Sequence, residues 1–191
     1  MHQNMSLNLE DYIFKIDDFL DRPTCKIIIN KISKLNWEKH KYYDQIENTY
    51  TSYDNDLSVI HAPNIEEIKI LNKKLSYAID MYISRLNFTW YGKYSNYSGV
   101  RLNRYDKSTC MRVHCDHIHS LFDGINRGIP VLTLLGSLNN NYKGGELIMF
   151  DQKTLELNAG SLVIFPSNFL FPHEIKPIIS GIRYSYVSWC W

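Results

Sequence analysis

The sequence predicts an α+β fold, mainly β with α, in which N-terminal helices back a jelly-roll-like β core. Three observations predict it. Apolar residues recur at helical spacing in two stretches ahead of residue 88. From Phe88 onward the pattern changes to short apolar runs separated by Gly, Asn, Asp and Pro, as in proteins built from many short strands. The chain has 191 residues, 45% of them hydrophobic and 21% charged, which suits one globular domain. A single domain is therefore expected over 1–191, with 1–87 as a helical support region and 88–191 as the β core.

The elements follow in order. Tyr12–Ile16 is rich in apolar and aromatic residues and reads as a strand. Asp21 ahead of Pro23 is a helix-start arrangement, and Cys25, Ile28, Ile29, Ile32 and Leu35 then mark one buried helical face. A second helix starts near Pro63, with the stripe Ile65, Ile68, Leu71, Leu75, Ile79, Tyr82 and Leu86. Both stripes read as packing surfaces. Between the helices, 36–62 shows no period and carries Trp37, Tyr42, Tyr43, Tyr50 and Tyr53. An irregular segment is expected there, and a mobile lid is its functional reading. The expected strands are Phe88–Tyr91, Gly99–Tyr105, Met111–His114, Pro130–Leu138, Glu146–Phe150, Leu155–Leu157, Ser161–Phe165, His173–Ile178 and Arg183–Trp191. Asn139, Asn140, Asn141, Gly144 and Gly145 supply turn chemistry.

Charge and composition exclude several classes. Lys and Arg number 21 against 20 Asp and Glu, a net charge of +1, so no nucleic-acid partner is expected. No run approaches the ~18 apolar residues of a membrane span, and no membrane association is expected. Met1–Asp11 lacks the charged-then-apolar pattern of a secretory leader, so a cytoplasmic protein is expected. The four cysteines form no CxxC pair and read as reduced thiols. No G-x-S-x-G element or Gly-rich phosphate loop is present.

The chemistry concentrates around His114-Cys115-Asp116-His117-Ile118-His119, with His173 far downstream. Residues i and i+2 of a strand share a face, so His114 and Asp116 can present an imidazole and a carboxylate together. His173, at the start of a strand-like run after Pro172, is the best third ligand. Two histidines and one carboxylate on one face leave positions open, the arrangement of non-haem Fe(II) oxygenases. Beyond His173, Ile182–Val187 alternates apolar and polar residues, placing Arg183 and Ser185 on one face. A buried guanidinium needs an anionic partner, and a dicarboxylate bound to the metal by its other end supplies one.

These residues, in this order, resemble the Fe(II)- and 2-oxoglutarate-dependent dioxygenases, specifically the prolyl 4-hydroxylase-like branch. The N-terminal strand, Asp17-Asp18-Phe19-Leu20 and the helix carrying Cys25 match the branch's opening pattern. Tyr105 upstream of His114, Leu138-Asn139, Gly144-Gly145-Glu146-Leu147 and the stretch from Gly160 to Ser167 match its catalytic part. His173, Pro177, Gly181, Arg183 and Trp189 match its closing pattern. The resemblance implies a double-stranded β-helix (jelly-roll/cupin-like) core. It implies Fe(II) on His114, Asp116 and His173, with Arg183 on the distal carboxylate of 2-oxoglutarate, assisted by Ser185 and Tyr105. Where several relatives have a tyrosine ahead of the Leu-Asn pair, this chain has Leu135-Gly136-Ser137, so a hydroxyl contact to the cosubstrate is either missing or supplied by Thr133.

The implied reaction couples oxidative decarboxylation of 2-oxoglutarate by O₂, giving succinate and CO₂, to hydroxylation of an unactivated C–H bond, with ascorbate as reductant. The implied substrate is peptidyl-proline in a peptide or protein. The same chemistry on another side chain or a small molecule is the alternative. A structural rival is a cupin-type metal protein using His117 and His119 with Asp123, which gives no reason for Arg183 or Tyr105.

Overall fold

The computed structural model describes residues 5–44, 46–88, 90–91, 94, 97–116 and 129–191. A short 3₁₀ turn at Leu9–Tyr12 leads into strand β1 (Phe14–Ile16) and helix α1 (Arg22–Ile32). The Asp21 carboxylate caps α1 by accepting from the Thr24 N–H at 2.7 Å. Four short strands follow: β2 (Glu38–Lys39), β3 (Tyr42–Asp44), β4 (Thr49–Thr51) and β5 (Ser58–His61). Helix α2 (Glu66–Leu86) ends at Asn87, which turns the chain with φ of 50°. Asparagine tolerates this left-handed conformation better than most residues. The remaining strands are β6 (Arg101–Tyr105), β7 (Met111–His114), β8 (Leu132–Ser137), β9 (Tyr142–Gly144), β10 (Leu147–Met149), β11 (Lys153–Leu155), β12 (Leu162–Pro166), β13 (His173–Ile175), β14 (Ile178–Gly181) and β15 (Arg183–Cys190).

Seven strands form a large sheet in the order β1-β12-β8-β15-β6-β5-β2, and four form a second in the order β11-β10-β13-β7. Alternation along the large sheet builds two cores. One face, with Leu102, Leu134, Ile164 and Tyr186, packs against Ile28 and Ile32 of α1 and Leu71, Leu75 and Ile79 of α2. The other face, with Tyr105, Val163, Phe165 and Val187, packs against Leu147, Met149 and Ile175 of the second sheet. This is the β core backed by helices that the sequence predicts. The site lies between the sheets.

Four expectations need correction. Phe88, Trp90 and Tyr91 form no strand. The run His173–Ile178 is broken into β13 and β14, because Pro177 has no N–H to give a ladder. The Asn141–Gly145 turn contains β9, paired with β14. The largest difference lies in 36–62, which is not irregular. Here β5 pairs with β6 inside the large sheet, β2 pairs with β5, and β3 and β4 form a hairpin. The region 1–87 thus supplies three strands of the large sheet besides the helices. β5 has only four residues, with Val59 facing the inter-sheet core and Ile60 the helix side, too short for a visible period.

Candidate active site

Strand register assembles the site. In the β13–β7 ladder His173 pairs with His114, and their rings lie 4.3 Å apart between centroids. Asp116 follows β7 and turns inward, 5% exposed. His114 Nε2 lies 3.3 Å from Asp116 Oδ1, and His173 Nε2 lies 3.9 Å from Oδ2. One ligand atom from each of the three residues falls within 4.8 Å of the others. His114 Nδ1 is 2.7 Å from the Arg112 carbonyl and His173 Nδ1 is 3.2 Å from the Phe171 carbonyl. Each ring can donate through Nδ1–H to its carbonyl, which leaves Nε2, the atom nearest Asp116, as the one that could ligate a metal. Phe165 packs edge-on against His173 at 5.0 Å. The donor set fits a divalent ion with open positions on one side.

Electrostatics agree with this geometry. Burial pushes the Asp116 carboxyl up, but the hydrogen bond from His114, the charges of both imidazoles and the Trp189 side chain outweigh it. The carboxyl is held well below the usual range. Burial pulls His173 down to about 4, against the pull of Asp116. The ring is thus neutral near pH 7 and able to ligate. For His114 burial also favours the neutral ring, but its bond to Asp116 wins and raises its pKa.

Arg183, on β15, is 1% exposed. Its Nη1 donates to Ser185 Oγ at 3.0 Å, its Cζ lies 4.9 Å from the Tyr105 ring centroid, and its Nε has no hydrogen-bond partner. Strand register puts Arg183 opposite Tyr105, so the expected grouping of Arg183, Ser185 and Tyr105 is present. Thr133 lies against the cluster itself. Its hydroxyl donates to Asp116 Oδ2 at 2.8 Å and lies 2.8 Å from Ser167 Oγ. Thr133 thus orients the carboxylate of the cluster. His117, His119 and Asp123 lie outside the described residues.

Several neighbours went unnoticed in the sequence. Arg101 is buried with Asn103 on β6, Nε to Oδ1 at 3.0 Å, and its Cζ lies 4.8 Å from the Trp189 ring centroid. The signal was available, because Arg101, Asn103 and Tyr105 alternate on one strand and must share a face. A cleft of about 390 Å³ opens beside His114 and Asp116, bordered by His40, Tyr42, Tyr53, Asp56, Arg101, Arg112 and Trp189.

Residues 100–191 match the family model of the 2OG-Fe(II) oxygenase superfamily. A PKHD-type hydroxylase of Shewanella baltica is 40% identical over 91 residues, 46% of this chain and 40% of that protein. Its counterpart in Shewanella oneidensis is 41% identical over a stretch of the same extent. The match thus spans less than half the length of these relatives. In fold, the chain resembles a viral collagen prolyl hydroxylase from Paramecium bursaria Chlorella virus-1, solved with 2OG. The TM-score is 0.65 at 20% identity, covering 94% of each chain. It also resembles a Trichoplax adhaerens prolyl hydroxylase in complex with a hypoxia inducible factor peptide fragment. There the TM-score is 0.69 at 20% identity, covering 95% of this chain and 84% of that one. Residues 100–191, the part that matches the 2OG-Fe(II) oxygenase superfamily, hold the His114–Asp116–His173 cluster and the buried Arg183, and the cofactors this match implies are Fe(II), 2-oxoglutarate and O₂.

Proposed function

We propose that this protein is a dioxygenase that hydroxylates an unactivated C–H bond, with proline in a peptide or protein as its substrate class and succinate and CO₂ as coproducts. The observation that carries the reading is the pairing of two features on one inter-sheet face. A His-Asp-His cluster with inward Nε2 atoms adjoins a buried arginine that forms no ion pair with any described carboxylate.

In this reading His114, Asp116 and His173 hold Fe(II), and Arg183 grips the distal carboxylate of 2-oxoglutarate. Ser185 and Tyr105 fix the guanidinium, and Thr133 aims Asp116. Iron and 2-oxoglutarate together supply the oxidising chemistry. The chain's part is placement and exclusion of water: Phe165, Val187 and Trp189 wall the chamber, and the cleft beside it admits the substrate. Ascorbate as reductant belongs to the same proposal.

Proline is favoured by the names of the relatives, PKHD-type and prolyl hydroxylases, one of them solved with a peptide. A single domain over 1–191 is supported by the helix-side core, which joins residues from both halves. Among the described residues no helix is long and apolar enough to cross a membrane.

The test is succinate release from 2-oxoglutarate over a panel of proline-containing peptides, with mass spectrometry for a gain of one oxygen atom. His114→Ala, Asp116→Ala and His173→Ala should each abolish it. Turnover that persists in all three variants would sink the assignment.

A further inference from the structure

Two arginines are buried near the cluster, Arg101 lining its cavity and Arg183 behind Tyr105, and the proposed cosubstrate accounts for the second. Arg101 is 8% exposed, and its only hydrogen bond to a described residue is Nε to Asn103. One face of its guanidinium is covered by Trp189, which leaves its edge, with both terminal amino groups, for a ligand. No described carboxylate forms an ion pair with it, and the neighbouring Asp116 is engaged by His114 and Thr133. Unlike Arg183, Arg101 borders the wide cleft beside His114. His40 lines the same cleft, 6% exposed, with an Nδ1 that has no hydrogen-bond partner. Arg112 and Lys41 add positive charge to that cleft, against Asp56 and the Asp116 of the His-Asp-His cluster.

A desolvated guanidinium without an anion is costly, and its planar edge suits a carboxylate's two oxygens. We propose that Arg101 is a substrate-specificity residue, and that the molecule hydroxylated carries a carboxylate that docks on it. This rests on the oxygenase reading and deepens it by naming a charge on the substrate. The two arginines divide the anions: Arg183 takes the cosubstrate and Arg101 the substrate. The carboxylate belongs either to a chain terminus or free acid, or to an acidic side chain beside the target residue.

Two matched probe pairs distinguish these sources. N-acetyl-L-proline against N-acetyl-L-prolinamide tests a terminal carboxylate. N-acetyl-L-aspartic acid α-amide against N-acetyl-L-asparagine amide tests a side-chain carboxylate. Binding is measured by calorimetry on the full chain loaded with Mn(II) and 2-oxoglutarate, so no turnover is needed. In the unmodified protein the acid of one pair should bind at least tenfold tighter than its amide. Arg101→Gln should erase that preference and leave 2-oxoglutarate affinity within threefold. Arg101→Lys, which keeps the cation, should retain part of it. Arg183→Gln should do the reverse, losing 2-oxoglutarate and keeping the preference. No acid preference in either pair, with 2-oxoglutarate still bound, overturns the inference and leaves the oxygenase reading intact. Loss of 2-oxoglutarate from Arg101→Gln and not from Arg183→Gln overturns it by reversing the two roles. Failure of the unmodified protein to bind 2-oxoglutarate at all overturns the oxygenase reading itself.

Discussion

Arg183 stands directly opposite Tyr105 in the β15–β6 ladder, with its guanidinium carbon 4.9 Å from the centre of the phenol ring. Ring and Ser185 hydroxyl fix the cation, and the bare Nε shows that protein atoms do not complete its hydrogen bonding. On the proposed assignment, replacing Arg183 with Ala leaves the cosubstrate's distal carboxylate unpaired in a dry pocket. Removing one partner of such a pair costs on the order of 3–5 kcal/mol. The Kd for 2-oxoglutarate should rise by roughly two to three orders of magnitude, at 1.4 kcal/mol per tenfold. Metal affinity should stay unchanged, since Arg183 lies outside the His-Asp-His cluster. Titration of both ligands into the variant checks the split, and a normal 2-oxoglutarate Kd would refute the pocket assignment.

Thr133 gives a prediction about the metal. Its hydroxyl holds Asp116 Oδ2 at 2.8 Å, with Ser167 beside it. Thr133→Val keeps the shape and removes the donor. Loss of a hydrogen bond that orients a ligand typically weakens metal affinity ~10–100-fold. Competition for Mn(II) against a chelator should show that loss, with 2-oxoglutarate binding reduced only where metal is lost. An unaltered metal Kd would mean that Asp116 needs no such support.

How much of this was legible in the sequence depends on what each feature rests on. The triad and Arg183 rest on strand alternation and order, which a sequence displays, and their grouping appears in the register. The two helices showed through their stripes. β5 did not, because a strand of four residues is too short to show a period of its own and is defined by its partner β6. Arg101 was missed for a related reason. Its position follows from Tyr105 by alternation, but a lone arginine carries no motif until Trp189, distant in sequence, is found covering its guanidinium. The contact of Thr133 with Asp116 was not legible, because a hydroxyl's partner cannot be read from spacing.

Gly136 on β8 has no room for a side chain. A Cβ there would collide with the ring and hydroxyl of Tyr186, which is fully buried in the neighbouring strand β15. Gly136→Ala should therefore overpack the helix-side core and cost ~1–3 kcal/mol. Thermal unfolding should show a Tm lower by several degrees, with metal affinity retained. A Tm equal to that of the unmodified protein would mean Tyr186 has room to move.

His40 makes stability depend on pH. Burial and then the charge of Arg101 hold its imidazole down to about 3, with His114 and His61 acting in the same direction and Asp116 against. The unfolded chain binds the proton near the ordinary histidine value of ~6.5. Between ~6.5 and 3 the unfolded state thus binds more protons, so stability is full above that window and falls as pH drops through it. At 1.36 kcal/mol per pH unit, His40 accounts for up to about 2 kcal/mol lost between pH 7 and 5. His61 and His173, both lowered by burial, add to the loss. Urea unfolding of metal-free protein at the two pH values should show the drop, and His40→Gln should show a smaller one. Equal drops in both proteins would remove His40 from the account.

The aromatic segment 36–62 was expected to be a lid, and the fold narrows that idea to its middle. Its end is anchored: β5 lies inside the large sheet, and the His40 N–H donates to the Leu57 carbonyl at 2.9 Å. The β3–β4 hairpin is a separate two-stranded sheet bound to neither large one. Tyr42 and Tyr53 stack there at 5.3 Å, and the Arg112 guanidinium lies 4.0 Å from the Tyr53 ring centroid, at the cleft beside His114. Rigid tyrosines suit contact with a peptide, and closure would exclude water from the reaction. Backbone hydrogen exchange should therefore be fast across 46–51 and slow across 58–61 in the free protein. A bound substrate should slow the first and leave the second unchanged. Shortening the hairpin between β3 and β4 should raise substrate KM several-fold while 2-oxoglutarate affinity holds. Slow exchange across 46–51 without substrate, or unchanged KM after shortening, would show a fixed wall of the cleft.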